Sequence, residues 1–191
     1  MMAFVRQSLA GLRVLLVLTV LLGLVYPLVV YGAGRLMPDR AGGSLLEVDG
    51  RVVGSRLLGQ GFEGDQWLLP RPSAAGDGYD ALASGASNLG PESTDLLATV
   101  ADRRRTVAAR EGVDAAAVPA DAVTASGSGL DPHVSPAYAA LQAPRVARER
   151  GLDQVTVLAL IDEATTGRGL GFLGEPAVNV LQVNAALAML D

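Results

Sequence analysis

The residues best suited to chemistry stand together in one stretch, Ala125-Ser126-Gly127-Ser128-Gly129-Leu130-Asp131-Pro132-His133. A glycine-rich run can cradle an anion on its backbone N–H groups. A phosphate-binding loop of the Walker type also needs a lysine, and every basic residue in this chain is arginine. The glycine spacing does not fit a dinucleotide fingerprint either. A tight turn that needs glycine dihedrals accounts for the run more simply. His133 is the only histidine, whereas metal sites take three or four protein ligands, so a satisfied loop histidine is the plainer reading. Ser126 or Ser128 can be drawn with His133 and Asp131 as a hydrolase triad. There is no G-x-S-x-G elbow to expose the nucleophile, and three common residue types in one loop carry little information.

The elements that must hold this stretch follow from composition. Half of the 191 residues are hydrophobic, and they are concentrated at the front. Val14 to Gly34 carries no charged side chain over about 21 residues, enough to cross a hydrocarbon core of roughly 30 Å as a helix. A cleaved signal peptide has a shorter apolar run, about 7–15 residues, before a small-residue site such as Gly32-Ala33-Gly34. The run length favours an anchor. The expected organisation is a short cytoplasmic N-terminus (1–13), a transmembrane helix (14–34), a linker (35–43) and one extracytoplasmic α+β domain (44–191). Removing Arg6 and Arg13 from the 15 basic residues leaves 13 against 20 acidic ones, so the soluble part is near −7. Nucleic acid, which wants a basic face, is a poor partner for it. The absence of cysteine excludes disulfides and thiolate metal sites. Arg6 and Arg13 before the span and Arg35 and Arg40 after it nearly balance, so charge alone sets orientation weakly, with the N-terminus inside.

Within the anchor, Thr19, Gly23 and Pro27 fall four apart on one face, where small residues let another helix approach. Pro27 has no N–H for the Gly23 carbonyl, so the ladder must break near that turn. Leu45–Val48 and Arg51–Gly54 around Asp49-Gly50 predict a hairpin, and Leu57 to Leu69 predicts further strand. Three helices are expected. The first runs from about Glu92 to Arg110 with Leu96, Leu97, Val100 and Val107 inward and the Arg103-Arg104-Arg105 run solvated. The second starts at Ser135-Pro136 and stops near Gly151; the third starts at Asp153 with Val157, Leu158 and Ile161 inward and ends at Gly167. Val178–Leu181 reads as strand, followed by a short helix. Ser84–Pro91, Thr124–Pro136 and Gly167–Asn179 read as long loops, usually functional or flexible in a small domain. The middle one has no evident core role in the sequence.

Those loops carry a resemblance. Gly54-Ser55-Arg56-Leu57-Leu58-Gly59-Gln60-Gly61-Phe62, Arg71-Pro72-Ser73-Ala74, Ser84-Gly85-Ala86-Ser87-Asn88-Leu89-Gly90-Pro91 and Val123 to Pro136 follow one another in order. Gln142 with Arg145-Val146-Ala147, then Leu173-Gly174-Glu175-Pro176, Val178-Asn179-Val180-Leu181 and Asn184, complete the series. Together with the anchor they resemble the C-subunit family of the Kdp potassium-transporting P-type ATPase over nearly the whole chain. Leu69-Pro70, Ala86 and Ala177 depart from that pattern at local loop contacts. The resemblance implies a non-catalytic accessory subunit in the plasma membrane. Its implied partners are a potassium-channel-like subunit, a P-type ATPase subunit that hydrolyses ATP, and a small hydrophobic subunit. It implies that the complex uses ATP, magnesium and potassium while this subunit binds no cofactor itself. The family is described as assembling the complex and as raising ATP affinity, a catalytic-chaperone role. The lack of a nucleotide motif favours assembly, or coverage of the outer potassium entrance. The expected partner contacts are Thr19, Gly23 and Pro27 in the anchor and Asn88, Ser126, Ser128, Asp131 and His133 in the loops. The rival reading is a membrane-anchored extracytoplasmic sensor or ligand-binding module.

The small-residue face makes a direct prediction. Gly23→Ile should reduce co-purification with the larger subunits, at about 1 kcal/mol per lost interhelical contact, while the soluble domain stays folded. An unchanged yield of complex would remove the packing argument.

Overall fold

A computed structural model describes residues 1–190 of the chain. It divides into two units, Met1–Ser44 and everything from Leu45 on. The first unit is a helix, α1, over Met2–Arg35, with an 18-residue window of mean hydropathy 2.6 and no buried residue. It is long and apolar enough to cross a membrane. Leu21–Val25 forms a widened π turn just before Pro27. That turn is the physical form the predicted break takes, because proline at 27 cannot close the ordinary bond to Gly23. A side-chain atom added at Gly23 would meet nothing within 4 Å in this chain. One short turn, Pro38–Ala41, closes the unit.

The second unit is α+β. Strands β1 (Leu45–Val48) and β2 (Arg51–Ser55) form the predicted antiparallel hairpin, with a bulge between Leu46 and Glu47. Asp49 and Gly50 both take positive φ, 52° and 73°, as a type I′ turn requires. Helix α2 (Thr94–Glu111) is capped by Ser93 and ends at left-handed Gly112; α3 (Pro136–Arg150) is capped by Ser135 and ends at left-handed Gly151. Helix α4 (Gln154–Glu163), capped by Asp153, packs on α3. Short strands β3 (His133–Val134), β4 (Thr165–Thr166) and β5 (Ala177–Asn179) make an antiparallel sheet in the order β3-β5-β4, and α5 (Val180–Ala188) follows. Val123, Val134, Tyr138, Val146, Val157, Val178, Val183 and Leu187 fill the core between helices and sheet.

Four expectations change. The third predicted helix stops at Glu163, because Thr165 and Thr166 are drawn into pairing with Val178 and Ala177. Val180 and Leu181 belong to α5, started by the Asn179 side chain, which accepts from Gln182 N–H at 3.1 Å. Leu97 faces solvent, while Arg103, expected in solvent, is half-buried and donates to the Val123 carbonyl at 3.2 Å. Leu57 to Leu69 is not strand. Its chain is irregular, and the backbone groups of Leu68 and Leu69 are met by side chains instead of a neighbouring ladder.

That last substitution organises the domain. Leu68 is fully buried, yet its N–H donates to Asn184 Oδ1 and its carbonyl accepts from Asn184 Nδ2, both at 2.9 Å. Leu69 makes the same exchange with Gln142, at 2.7 and 3.0 Å. Each carboxamide presents one donor and one acceptor side by side, so it stands in for a strand edge. Arg145 extends the pattern. Its guanidinium donates to the carbonyls of Asp65 and Trp67 and to Gln142 Oε1, and its Nε reaches both Glu111 oxygens at 3.0 and 3.1 Å. The Arg145 and Glu111 side chains are 2% and 1% exposed. Burial pushes the Glu111 carboxyl up from its ordinary value, and the Arg145 charge opposes that push.

A buried pair broken on one side leaves an uncompensated charge, at a cost of about 3–5 kcal/mol. Arg145→Met should therefore destabilise the full chain by that amount in urea unfolding, with Gln142→Leu costing about 2 kcal/mol for the orphaned Leu69 groups. A loss under about 1 kcal/mol for Arg145→Met would show that the network is dispensable.

Candidate functional site

The stretch from Thr124 to Pro136 lies at the meeting point of three other loops. Gly129 takes φ 68°, and a Cβ there would stand 2.6 Å from the Ala75 nitrogen and 2.7 Å from the Gly85 carbonyl oxygen, so only glycine fits. Gly59 is excluded from carrying a side chain by the Asp131 carbonyl, 2.6 Å from where its Cβ would lie, and its N–H donates to the Leu130 carbonyl at 2.8 Å. Ser73 Oγ donates to the Gly129 carbonyl at 2.7 Å and accepts from Ala75 and Tyr79 N–H. The Ser128 carbonyl accepts from both Gly85 N–H and Ser84 Oγ at 2.9 Å. At the far end, the Asp121 carboxylate accepts from Ser135 N–H and Oγ, holding the cap of α3.

Asp131 is the polar centre of this junction. One oxygen accepts from Arg71 Nη1 at 3.0 Å; the other accepts from His133 N–H at 3.0 Å and faces His133 Nδ1 at 3.4 Å. Arg71 Nη2 reaches the Thr124 carbonyl at 3.4 Å, and the Tyr79 hydroxyl donates to the Arg71 carbonyl. The His133 side chain, then its backbone N–H and the Arg71 charge, hold the Asp131 carboxyl below its ordinary range against the opposing effect of burial.

The expected site residues therefore separate. Ser126 is buried, Asp131 and His133 are half-buried neighbours, and Ser128 is exposed with its Oγ accepting from Leu130 N–H at 3.1 Å. Asn88 is exposed with a left-handed backbone, φ 52°. Thr19, Gly23 and Pro27 lie in the other unit, on exposed helix. The expectation that the 124–136 loop lacks a core role is overturned: Ser126, Gly129 and Leu130 are buried, and the loop ties segments 59, 71–75 and 84–85 together. Of the drawn triad, Asp131 and His133 stand as neighbours, while Ser128 Oγ accepts from Leu130 N–H in its own loop. Among the described residues, no group of three or more His, Cys, Asp or Glu could hold a metal ion. Glu111, Gln142, Arg145 and Asn184 hold the 65–69 segment, a role the sequence does not announce. Gln142, Arg145 and Asn184 stand in the family-like motifs, and each of the four is a polar side chain on the inward side of a helix.

Beside the junction runs a groove of about 370 Å³ between residues 61–72 and α2. Phe62, Pro70, Pro72, Tyr79 and Tyr138 line it, with Arg71, Arg103 and Arg110. Burial pushes the Tyr138 phenol up to about 12 and raises that of Tyr79 as well, so both are neutral hydroxyls at physiological pH.

The fold and junction define a class: a single apolar helix followed by a small α+β domain whose loops are stitched by polar side chains. The chain belongs to the KdpC family, described as K+-transporting ATPase, c chain, which it matches over residues 8–189. It is 63% identical over 182 residues to the potassium-transporting ATPase KdpC subunit of Kineococcus radiotolerans, covering 95% of this chain and 93% of that one. The subunit of the same name from Mycobacterium tuberculosis is 54% identical over 184 residues, 95% and 97% of the two chains. That of Gemmatimonas aurantiaca is 52% identical over 193 residues, 100% and 95%.

Asp131 gives the junction a pH dependence. A carboxyl lowered by folding contributes stability above its unfolded value, near 3.9, and loses it as pH falls through the folded value. Asp131→Asn should cost roughly 1 kcal/mol at pH 7, a figure reduced for partial exposure, and the difference from wild type should vanish in acid below the carboxylate range. Thermal melts of both proteins from pH 7 to pH 2 measure this; a gap that persists at the acid end would assign the loss to shape, not charge.

Proposed function

We propose that the chain is a non-catalytic accessory subunit of an ATP-driven potassium import complex. It would stabilise the assembly of a channel-like subunit, an ATP-hydrolysing subunit and a small hydrophobic subunit in the plasma membrane. The observation that carries this reading is the engagement of Arg71, Ser73, Ser128 and Asp131 in the domain's own loop network. Side chains that resemble a reaction centre hold a shape, and a fixed shape is what an assembly surface needs. Family membership supports the partners, since its curated relatives are named as subunits of potassium-transporting ATPases. In this reading the N-terminus is cytoplasmic and the domain extracytoplasmic, with Asn88, Ser128 and His133 on the partner surface. The chain binds no nucleotide, and ATP and magnesium act on the ATPase subunit. A rise in ATP affinity on its addition is indirect, through a conformation of the partners that it binds better.

Tagged full chain purified from its native membrane in mild detergent should carry the other three subunits with it. Titration calorimetry of the same chain with ATP and magnesium should show no micromolar binding. Binding that Gly127→Val abolishes would place a nucleotide site in the 126–129 loop and overturn both the orientation and the indirect mechanism. The full chain arriving alone, while retaining its fold, would favour the anchored ligand-binding module, with the arginine-lined groove as its site.

A further inference from the structure

The connection from β4 to β5 forms an arm whose side chains the domain itself does not use. Its base is fixed by pairing of Thr165 with Val178 and Thr166 with Ala177. Farther out, Gly169 and Leu173 exchange backbone bonds in both directions at 2.8 Å, and Phe172 and Gly171 N–H groups donate back to Gly169 and Arg168. Arg168 and Glu175 pair across the neck at 2.7 Å. The tip carries Leu170, 84% exposed, Phe172, 71% exposed, and Leu173, 54% exposed. Leu170 also holds a positive φ of 52°, a conformation that a leucine rarely adopts, between a series of glycines that accept it freely. The arm is thus rigid by hydrogen bonding, strained at one apolar residue, and tipped with large hydrophobic side chains in water. Such a combination presents a preformed apolar plug, for which little ordering remains to be done on binding.

We propose that this tip inserts into an apolar pocket on another subunit of the complex, an inference that rests on the accessory-subunit reading above. Charge argues against a lipid surface as the occupant. Interfacial segments carry free Lys or Arg beside their apolar residues; here the one cation, Arg168, is paired with Glu175, and Asp162 and Glu163 stand exposed just before the arm. Area argues against a second copy. Two tips meeting face to face would bury three apolar side chains each, far below the roughly 1,000 Å² of a stable interface. A plug that supplements a larger contact has no such requirement.

The test places the photoreactive residue benzoylphenylalanine at position 172 of the tagged full chain in its native membrane. In parallel it purifies the L170S/F172S double variant. The photoproduct should be a covalent adduct with another subunit, and the double variant should carry at least about tenfold less of the other subunits. Its melting temperature should stay at the wild-type value, because both side chains are already in water. Adducts with lipid only, adducts with a second copy only, or undiminished co-purification of the double variant would each overturn the plug. Wild-type chain that brings no other subunit would instead refute the accessory reading, a failure visible without the variant.

Discussion

The domain depends on one constraint: at Leu68 and Leu69 the backbone turns into the core without a strand beside it. A buried N–H or carbonyl left unpaired costs about 1–3 kcal/mol, and Leu68 and Leu69 alone bring four such groups. Asn184 and Gln142 meet them with carboxamides, and Arg145 meets the carbonyls before them. These side chains come from α3 and α5, so the burial of the irregular segment depends on both helices. Arg145 in turn must bring its charge inside, and Glu111 at the end of α2 balances it. Three helices and a loop are locked by one connected set of bonds. Arg150 adds to it on the surface, with its guanidinium 4.3 Å over the Trp67 ring and its Nε on the Gln66 carbonyl at 2.9 Å.

The junction around Asp131 repeats this logic with shorter residues. Loops that cannot pair with one another as strands are joined through serine hydroxyls, one carboxylate and two glycines that admit no side chain. The same residue types make catalytic sites, which is why the stretch looks reactive when read alone. What separates the two uses is direction. At a reaction centre the polar atoms converge on a space for substrate; here they converge on carbonyls and N–H groups of the same chain. A rigid surface results, and loops already ordered cost less to bind.

Much of the architecture was legible because it is encoded locally. The uncharged run from Val14 to Gly34, the Asp49-Gly50 turn and the serine, proline and glycine at the ends of α3 each act through near neighbours in sequence. Those signals belong to covalent geometry, hydration and backbone dihedrals, which do not wait for a fold. The structure departs from the local signals where a distant partner decides. Thr165 and Thr166 left the helical pattern for a strand because β5 was beside them, and Arg103 left solvent because the Val123 carbonyl lay within reach. Leu57 to Leu69 has the apolar content of a strand, but at Leu68 and Leu69 its partners are side chains, which no periodicity announces.

By itself, then, the sequence determined an apolar helix long enough to span a membrane, an acidic cysteine-free α+β domain, the helix ends, one hairpin, and, through ordered loop motifs, the family. Only the tertiary structure decided that Gln142, Arg145 and Asn184 replace a strand, that Asp131 answers Arg71, and that Leu170 and Phe172 remain outside. The physical reason is range. Capping, turn chemistry and hydropathy act within a few residues, whereas a buried polar group is satisfied by whatever the fold brings to it, from 73 residues away for Leu69 and 116 for Leu68.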